Sequence, residues 1–366
     1  MAAAAAVVVG VLTLSALAPP TFAAGRPDTV QQGLNAMVHD DGLPAALASV
    51  KDREGRTRDY TAGVGDVRTG SKVPVDGQVR IGSSTKTFTA VVVLQLVGEG
   101  KIDLDATIDT YLPNLVRGDG IDGSRITVRQ LLQHTSGLPD YEDLVADDIR
   151  RHHYLDPRDI LDVAFQRKAV FPPGKGWSYS NTNYVVAGLI VQKVTRRPFA
   201  EEVDRRVIQR IGLRHTYFPA PGDMTIRERH PHGYARDAAG APLRDVTELD
   251  PSVGWAAGQM ISTNSDVNRF LTELLAGRLL PPAQLAQMRT TVPIEDTGAG
   301  YGLGIMSRPL SCGGVYWGHG GDIDGYETRG GVTDDGRAAT VTVTSIPVDG
   351  AGTRRVEKVV DTALCR

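Results

Sequence analysis

Three short groups of residues carry the types and spacings that nucleophilic chemistry needs. Ser83-Ser84-Thr85-Lys86 follows Gly82 at the start of an apolar stretch. If that stretch is a helix, Ser83 and Lys86 share one face, and the amine reaches the hydroxyl. The helix N-terminus would add a field that favours a developing alkoxide or oxyanion. A lysine buried there, or crowded by other cations, loses basicity and becomes the free amine that a proton acceptor must be. Tyr179-Ser180-Asn181 offers a phenol to shuttle a proton and an amide to hold a substrate carbonyl and the lysine together. His319-Gly320-Gly321 ends a strand-like run, where a glycine lets a substrate backbone lie close and a neighbouring N–H can complete an oxyanion hole with that of Ser83. Taken singly, the groups equally suit an N-cap with a surface lysine, a polar turn and an ordinary strand end; chance pairing of 15 serines with 8 lysines makes Ser-x-x-Lys alone weak.

The chain that must position them has 366 residues, 41% hydrophobic and 23% charged, with a net charge of −3. This excludes a basic nucleic-acid binder, a disordered chain and a multi-span membrane protein. The 2 cysteines, Cys312 and Cys365, exclude a disulfide scaffold and four-cysteine zinc sites, and leave one bridge open. Residues 1–24 read as a signal peptide, apolar to Leu17 and cleaved near Ala23 or Ala24, although no Lys or Arg precedes the apolar run. Translation starting upstream, or an uncleaved membrane anchor, is the alternative. Either places the folded part outside the cytoplasm.

Strands are expected at Ala45–Lys51 and Asp59–Gly65, then helices over Ser84–Val97, Val128–Gln133, Asp159–Gln166, Asn183–Thr195 and Ala200–Arg210. Beyond Ala256 come a helix at Ser265–Ala276, strands at Tyr301–Met306, Val315–Gly318, Tyr326–Val332 and Ala338–Ser345, and a closing helix at Arg354–Leu364. The fold class is α+β: an antiparallel sheet built from both termini, residues 25–80 and 256–366, with an all-α part, 81–255, inserted between.

The three groups occur in that order, on a helix start, a loop and a strand, and here the chain resembles the serine penicillin-recognising superfamily. Within it the chain is most similar to the class C β-lactamases and the secreted Streptomyces D-alanyl-D-alanine carboxypeptidases, and nearer the latter. Arg80-Ile-Gly-Ser-Ser-Thr-Lys86, Tyr179-Ser-Asn-Thr-Asn-Tyr184 and Leu310-Ser-Cys-Gly313 carry the likeness, which runs from about Thr29 to Cys365. The resemblance implies a β-lactamase/transpeptidase-like fold, with terminal helices flanking the sheet and the active site in a cleft between the two parts. It implies Ser83 as acylated nucleophile, Lys86 as its proton partner and Tyr179 as shuttle. Asn181, His319 and Gly321 would face the substrate, and the N–H groups of Ser83 and Asp322 would form the oxyanion hole. It pairs Cys312 with Cys365. It also implies peptidoglycan-type D-amino-acid peptides or β-lactams as partners, no cofactor or metal, and a monomer without a stable membrane span after processing.

Departures from that pattern bear on substrate. Gly320 and Asp322 stand where the carboxypeptidase has threonines, and Met306, Ser307 and Arg308 replace the arginine run that holds a substrate carboxylate. An aspartate there repels a carboxylate and attracts an amine. D-aminopeptidase or esterase activity and β-lactamase activity therefore stand beside the carboxypeptidase reading, with a non-catalytic penicilloyl-binding protein as the non-enzyme alternative. Arg308 or Arg329 could restore the lost positive charge. Trp255 reads as pocket wall or core; His134, in Gln133-His-Thr-Ser-Gly137, as a structural turn; Asp140-Tyr-Glu-Asp143 as a solvated loop beside the cleft; His152, His153, His230 and His232 as surface residues.

Overall fold

A computed structural model describes residues 1–6, 28–238, 240–295 and 297–366. The apolar leader beyond its first six residues, with its expected cleavage site, lies outside the described residues. The centre is a ten-stranded sheet in which every pairing is antiparallel. Its strands are β1 (Ala45–Lys51), β2 (Thr57–Asp66), β3 (Ser71–Lys72), β4 (Val292–Pro293), β5 (Gly300–Tyr301), β6 (Met306–Pro309), β7 (Val315–Gly318), β8 (Gly321–Ile323), β9 (Tyr326–Thr333) and β10 (Ala338–Val343). They lie in the order β4-β5-β6-β7-β9-β10-β1-β2-β3, and β8 pairs with β9. The N-terminal strand β1 thus sits inside the sheet between β10 and β2, Ala46 opposite Val343 and Ala48 opposite Val341.

Helices cover both faces, which is why β1 is buried along nearly its whole length instead of alternating. On one face lie α1 (Thr29–His39) and the closing helix, Gly350–Leu364, here α8. Val30, Leu34 and Met37 of α1 recur at helical spacing, Asp28 caps its first turn, and the three side chains join Val356, Val359 and Val360 in one cluster. That periodicity lies in a stretch whose β-like neighbours dominate the sequence signal. On the other face is the Asn264–Leu275 helix, here α7, whose Asn264 and Asn268 side chains, one turn apart, donate to the carbonyls of Leu47 and Ser49 and accept from Thr342 and Thr340. Both side-chain amides of that buried seam are thereby bonded at the nitrogen and at the oxygen.

The helices between the strands build the larger apolar cluster around α2 (Thr85–Gly98), α3 (Val128–Gln133), α4 (Pro157–Ala164), α5 (Thr182–Thr195) and α6 (Trp255–Gly258). Every residue of α2 from Thr85 to Leu96 is buried, and Phe88 stacks on Phe270 of α7 with ring centroids 3.7 Å apart. A helix apolar on all sides belongs in a core. Two expected elements differ. The run Tyr301–Met306 is not one strand: Gly304, at φ 73°, turns the chain so that β5 ends at Tyr301 and β6 starts at Met306. The helix expected over Ala200–Arg210 is divided by a π-helical segment at Asp204–Ile208, beside the buried carboxylate of Glu202 with its Arg205 and Arg206 partners. Among the described residues no helix is long and apolar enough to cross a membrane.

Cys312, between β6 and β7, is bonded to Cys365 at the end of α8, with Cα atoms 5.7 Å apart. Closing a loop of 53 residues restrains the unfolded chain by about 4 kcal/mol. Cys312→Ser with Cys365→Ser should therefore lower Tm by roughly 6 °C in calorimetry. A shift under about 2 °C would mean the bridge restrains little.

Candidate active site

Ser83 lies in the short 3-10 turn Gly82–Ser84 that leads into α2. One turn later Lys86 is fully buried, and its Nζ is 2.9 Å from Ser83 Oγ, 2.7 Å from Asn181 Oδ1 and 2.9 Å from the Ala257 carbonyl on α6. The last two oxygens can only accept, so they take two N–H bonds of the lysine. As a free amine, Lys86 then has one lone pair left, directed at the serine hydroxyl. Burial lowers its pKa from 10.5 to about 7, against the opposing pull of Asp140, Glu142 and Asp322.

Asn181 opens α5 and is oriented by two carboxylates. Asp140 Oδ2 accepts from its backbone N–H at 2.9 Å and from its Nδ2 at 3.1 Å, and Glu142 Oε2 from the same Nδ2 at 2.9 Å. With its NH₂ on carboxylates, its amide oxygen faces Lys86. The Tyr179 ring lies 4.8 Å from Lys86 Nζ. Burial raises its phenol well above 10.0, partly offset by a hydrogen bond with Ser83, so the hydroxyl keeps its proton at neutral pH.

The third group arrives on the sheet. His319 follows β7; its carbonyl accepts from Ser84 Oγ at 2.9 Å, tying strand end to nucleophile turn. The strand β8 then runs against that turn at van der Waals limits. A Cβ on Gly82, which has φ +48°, would fall 2.8 Å from Asp322 N, and one on Gly321 would fall 1.9 Å from Ile81 O and 2.9 Å from Ser83 N. Glycine at both positions lets the backbone nitrogens of Ser83 and Asp322 approach each other as a two-donor oxyanion site requires. The cleft beside them is a cavity of about 170 Å³ whose walls include Ser83, Tyr141, Glu142, Asn181, Val253 and Asp322.

The structure thus brings together Ser83, Lys86, Tyr179, Asn181, His319, Gly321 and Asp322, an arrangement able to deprotonate a serine and hold an acyl tetrahedral intermediate. It does not bring in the other two candidates. Trp255 packs its ring on Phe199, 5.4 Å between centroids, and against Gly188 of α5, and it is absent from the cavity wall. Arg308 pairs with Glu357 of α8 at 2.9 Å. Arg329 is no spare cation either, since it grips Asp322 at 2.7 and 3.1 Å and lies 3.4 Å from Glu327. Sequence reasoning missed the part played by Asp140 and Glu142, left as a solvated loop, and by Tyr301, whose hydroxyl lies between His134 and His319. Only their adjacency to Gln133-His-Thr-Ser-Gly137 hinted that the loop returns to the site. Among the described residues no group of three His, Cys, Asp or Glu is arranged to hold a metal ion.

Known proteins resemble this chain over most of its length. The Beta-lactamase family model matches residues 28–363. A D-stereospecific amidohydrolase from Streptomyces sp. is 40% identical, with TM-score 0.84, over 91% of this chain and 98% of that one. The D-amino acid amidase of Ochrobactrum anthropi SV3 is 26% identical, with TM-score 0.79, over 92% of this chain and 99% of that one. Esterase EstB of Burkholderia gladioli is 32% identical over 281 residues, 68% of this chain and 71% of that protein. With the family model spanning nearly all of the described chain and a relative 32% identical over 68% of it, the chain is a member of the beta-lactamase family of serine hydrolases.

Proposed function

We propose that the protein hydrolyses amides or esters of D-amino acids that carry a free α-amine, through an acyl-enzyme on Ser83. The observation that carries this is the charge around the cleft. Three carboxylates, Glu142, Asp322 and Asp324, line the cavity against one guanidinium, Arg151, which lies within 3.8 Å of Asp324, and Arg329 is engaged with Asp322 from behind the wall. Such a wall favours an ammonium group and disfavours a terminal carboxylate. The likeness to a D-stereospecific amidohydrolase and a D-amino acid amidase supports the stereochemistry.

In the reaction, Ser83 Oγ attacks the substrate carbonyl as its proton passes to Lys86, directly or through Tyr179. The oxyanion lies between the N–H groups of Ser83 and Asp322, the leaving amine or alcohol departs with that proton, and water cleaves the ester to return the serine. Cleavage outside the cytoplasm, where the Cys312–Cys365 bridge persists, suits the apolar leader.

The test compares D-phenylalaninamide, its N-acetyl derivative and an N-acylated D-Ala-D-Ala peptide. Turnover of the free amine, with kcat/KM at least ~10²-fold lower once it is acetylated, is expected, because a buried or partly buried charge contact is worth a few kcal/mol. Ser83→Ala should form no adduct by intact mass. Preference for the N-acylated peptide would restore the carboxypeptidase reading instead.

A further inference from the structure

Behind the nucleophile a chain of three buried side chains, His134, Tyr301 and His319, links α3 to the oxyanion strand. His134, held at φ 61° just after α3, has its Nδ1 3.2 Å from the backbone N of Ser180 and 3.0 Å from Asn183 Nδ2. A backbone N–H can only donate. The Asn183 amide is fixed in the same sense, since its oxygen accepts from Ser136 Oγ at 2.6 Å. Nδ1 of His134 is therefore the acceptor, and its proton sits on Nε2, 3.1 Å from Tyr301 Oη.

The far end is fixed independently. His319 Nδ1 lies 2.5 Å from the Gly320 carbonyl, which can only accept, so that nitrogen carries the proton. Burial, with Lys86 next in effect, pushes the His319 pKa from 6.5 down to about 3, and burial keeps His134 well below 6.5. Both rings are neutral. His319 Nε2 must then accept, and Tyr301 Oη, 2.9 Å away, is the donor. The neighbouring Tyr184 hydroxyl gives its own proton to the Leu132 carbonyl at 2.8 Å. His134 and Tyr301 are fully buried and His319 is 6% exposed.

We infer that Tyr301 is a positioning residue for the hydrolase: its hydroxyl passes one hydrogen-bond direction from His134 to His319, locks the Nδ1–H tautomer of His319, and so holds the Gly320 carbonyl and the β8 backbone that presents Asp322 N–H beside Ser83. This rests on the reading that Ser83 is acylated. Turning the His319 ring or moving its proton to Nε2 would set two lone pairs, on Nδ1 and Gly320 O, against each other at 2.5 Å and swing the peptide that precedes the oxyanion donor. A misplacement of about 1 Å there costs ~10²-fold in rate.

Two measurements test it. In wild type, long-range ¹⁵N correlation spectra should show His319 with its proton on Nδ1 and His134 with its proton on Nε2, unchanged from pH 5 to pH 8. An Nε2–H His319, or one that titrates in that interval, overturns the inference whether or not any substrate is found. In folded Tyr301→Phe, His319 Nε2 should lose its donor, read as a changed Nε2 ¹⁵N shift, and kcat on the best amide or ester should fall ~10- to 100-fold with KM changed less than ~3-fold. An unchanged kcat, or a loss confined to KM, also overturns it. Absence of turnover on every amide and ester would count against the proposed function alone, because the spectra of the wild type still decide the relay.

Discussion

Lys86→Met is expected to fold and to acylate Ser83 at least ~10³-fold more slowly than wild type, the scale of removing a positioned general base. Wild type should show kcat/KM climbing as pH rises through about 7, the value to which burial brings the lysine, because only the free amine can take the serine proton. That limb should vanish in the variant. The same burial has a thermodynamic sign. An unfolded lysine holds its proton up to 10.5 and the folded one only to about 7, so between those values the unfolded chain binds more protons and stability rises with pH. Below pH 7 the group opposes folding by something on the order of 4–5 kcal/mol. Methionine removes that term and leaves the Ala257 and Asn181 oxygens without their donor, a loss of about 1–3 kcal/mol each. The net change in stability should accordingly be small, while the loss of rate is large. Pre-steady-state acylation across pH 5–9 decides it, and a variant that retains both the rate and the acid limb sinks the assignment of Lys86 as base.

Gly321→Ala should be the most damaging single-methyl change at the site. Its Cβ would stand 1.9 Å from the Ile81 carbonyl, backbone against backbone, and neither partner is a side chain that could swing aside. The strand must retreat from the nucleophile turn, which parts Asp322 N from Ser83 N; a loss of ~10²-fold or more in kcat/KM follows, with about 1–3 kcal/mol of stability. Gly320→Ala is the control, since the atoms its Cβ would meet first, at 3.1 Å, belong to the Arg329 side chain. Equal kinetic effects for the two variants would mean that the close approach of β8 to the turn is irrelevant to the reaction.

Much of the site was readable because its chemistry lies in short local patterns. Ser83 and Lys86 need only a helix to meet, and an apolar stretch without polar interruption makes that helix a buried one. The sheet was readable from alternating runs near both ends, and the bridge between Cys312 and Cys365 through the likeness to known hydrolases. What escaped depends on distance. Asp140 and Glu142 look like any exposed acidic loop until the fold returns them to Asn181, some forty residues on. Tyr301 reads as the first residue of a strand, and only the turn at Gly304 leaves it at the strand's end between two histidines. The charge around the cleft was legible only in part for the same reason: Asp322 looks like a lone anion, and its Arg329 partner, in β9, is supplied by strand pairing that no local pattern contains.

The placement of β1 between β10 and β2 also dictates a folding order. Its partners in β10 lie almost three hundred residues away, Ala46 against Val343 and Lys51 against Ala338. Helical contacts such as those of α2 with α5 and α6 form between shorter separations and can be made first, whereas the central ladder must await the last tenth of the chain and meet the full entropy of closing that loop. Until then β1 and β2 present an open edge. The cleft, whose β8 wall hangs from β9 and thus from that ladder, is consequently among the last features to be completed: a fragment lacking the C-terminal strands has no Asp322 N–H to set beside Ser83.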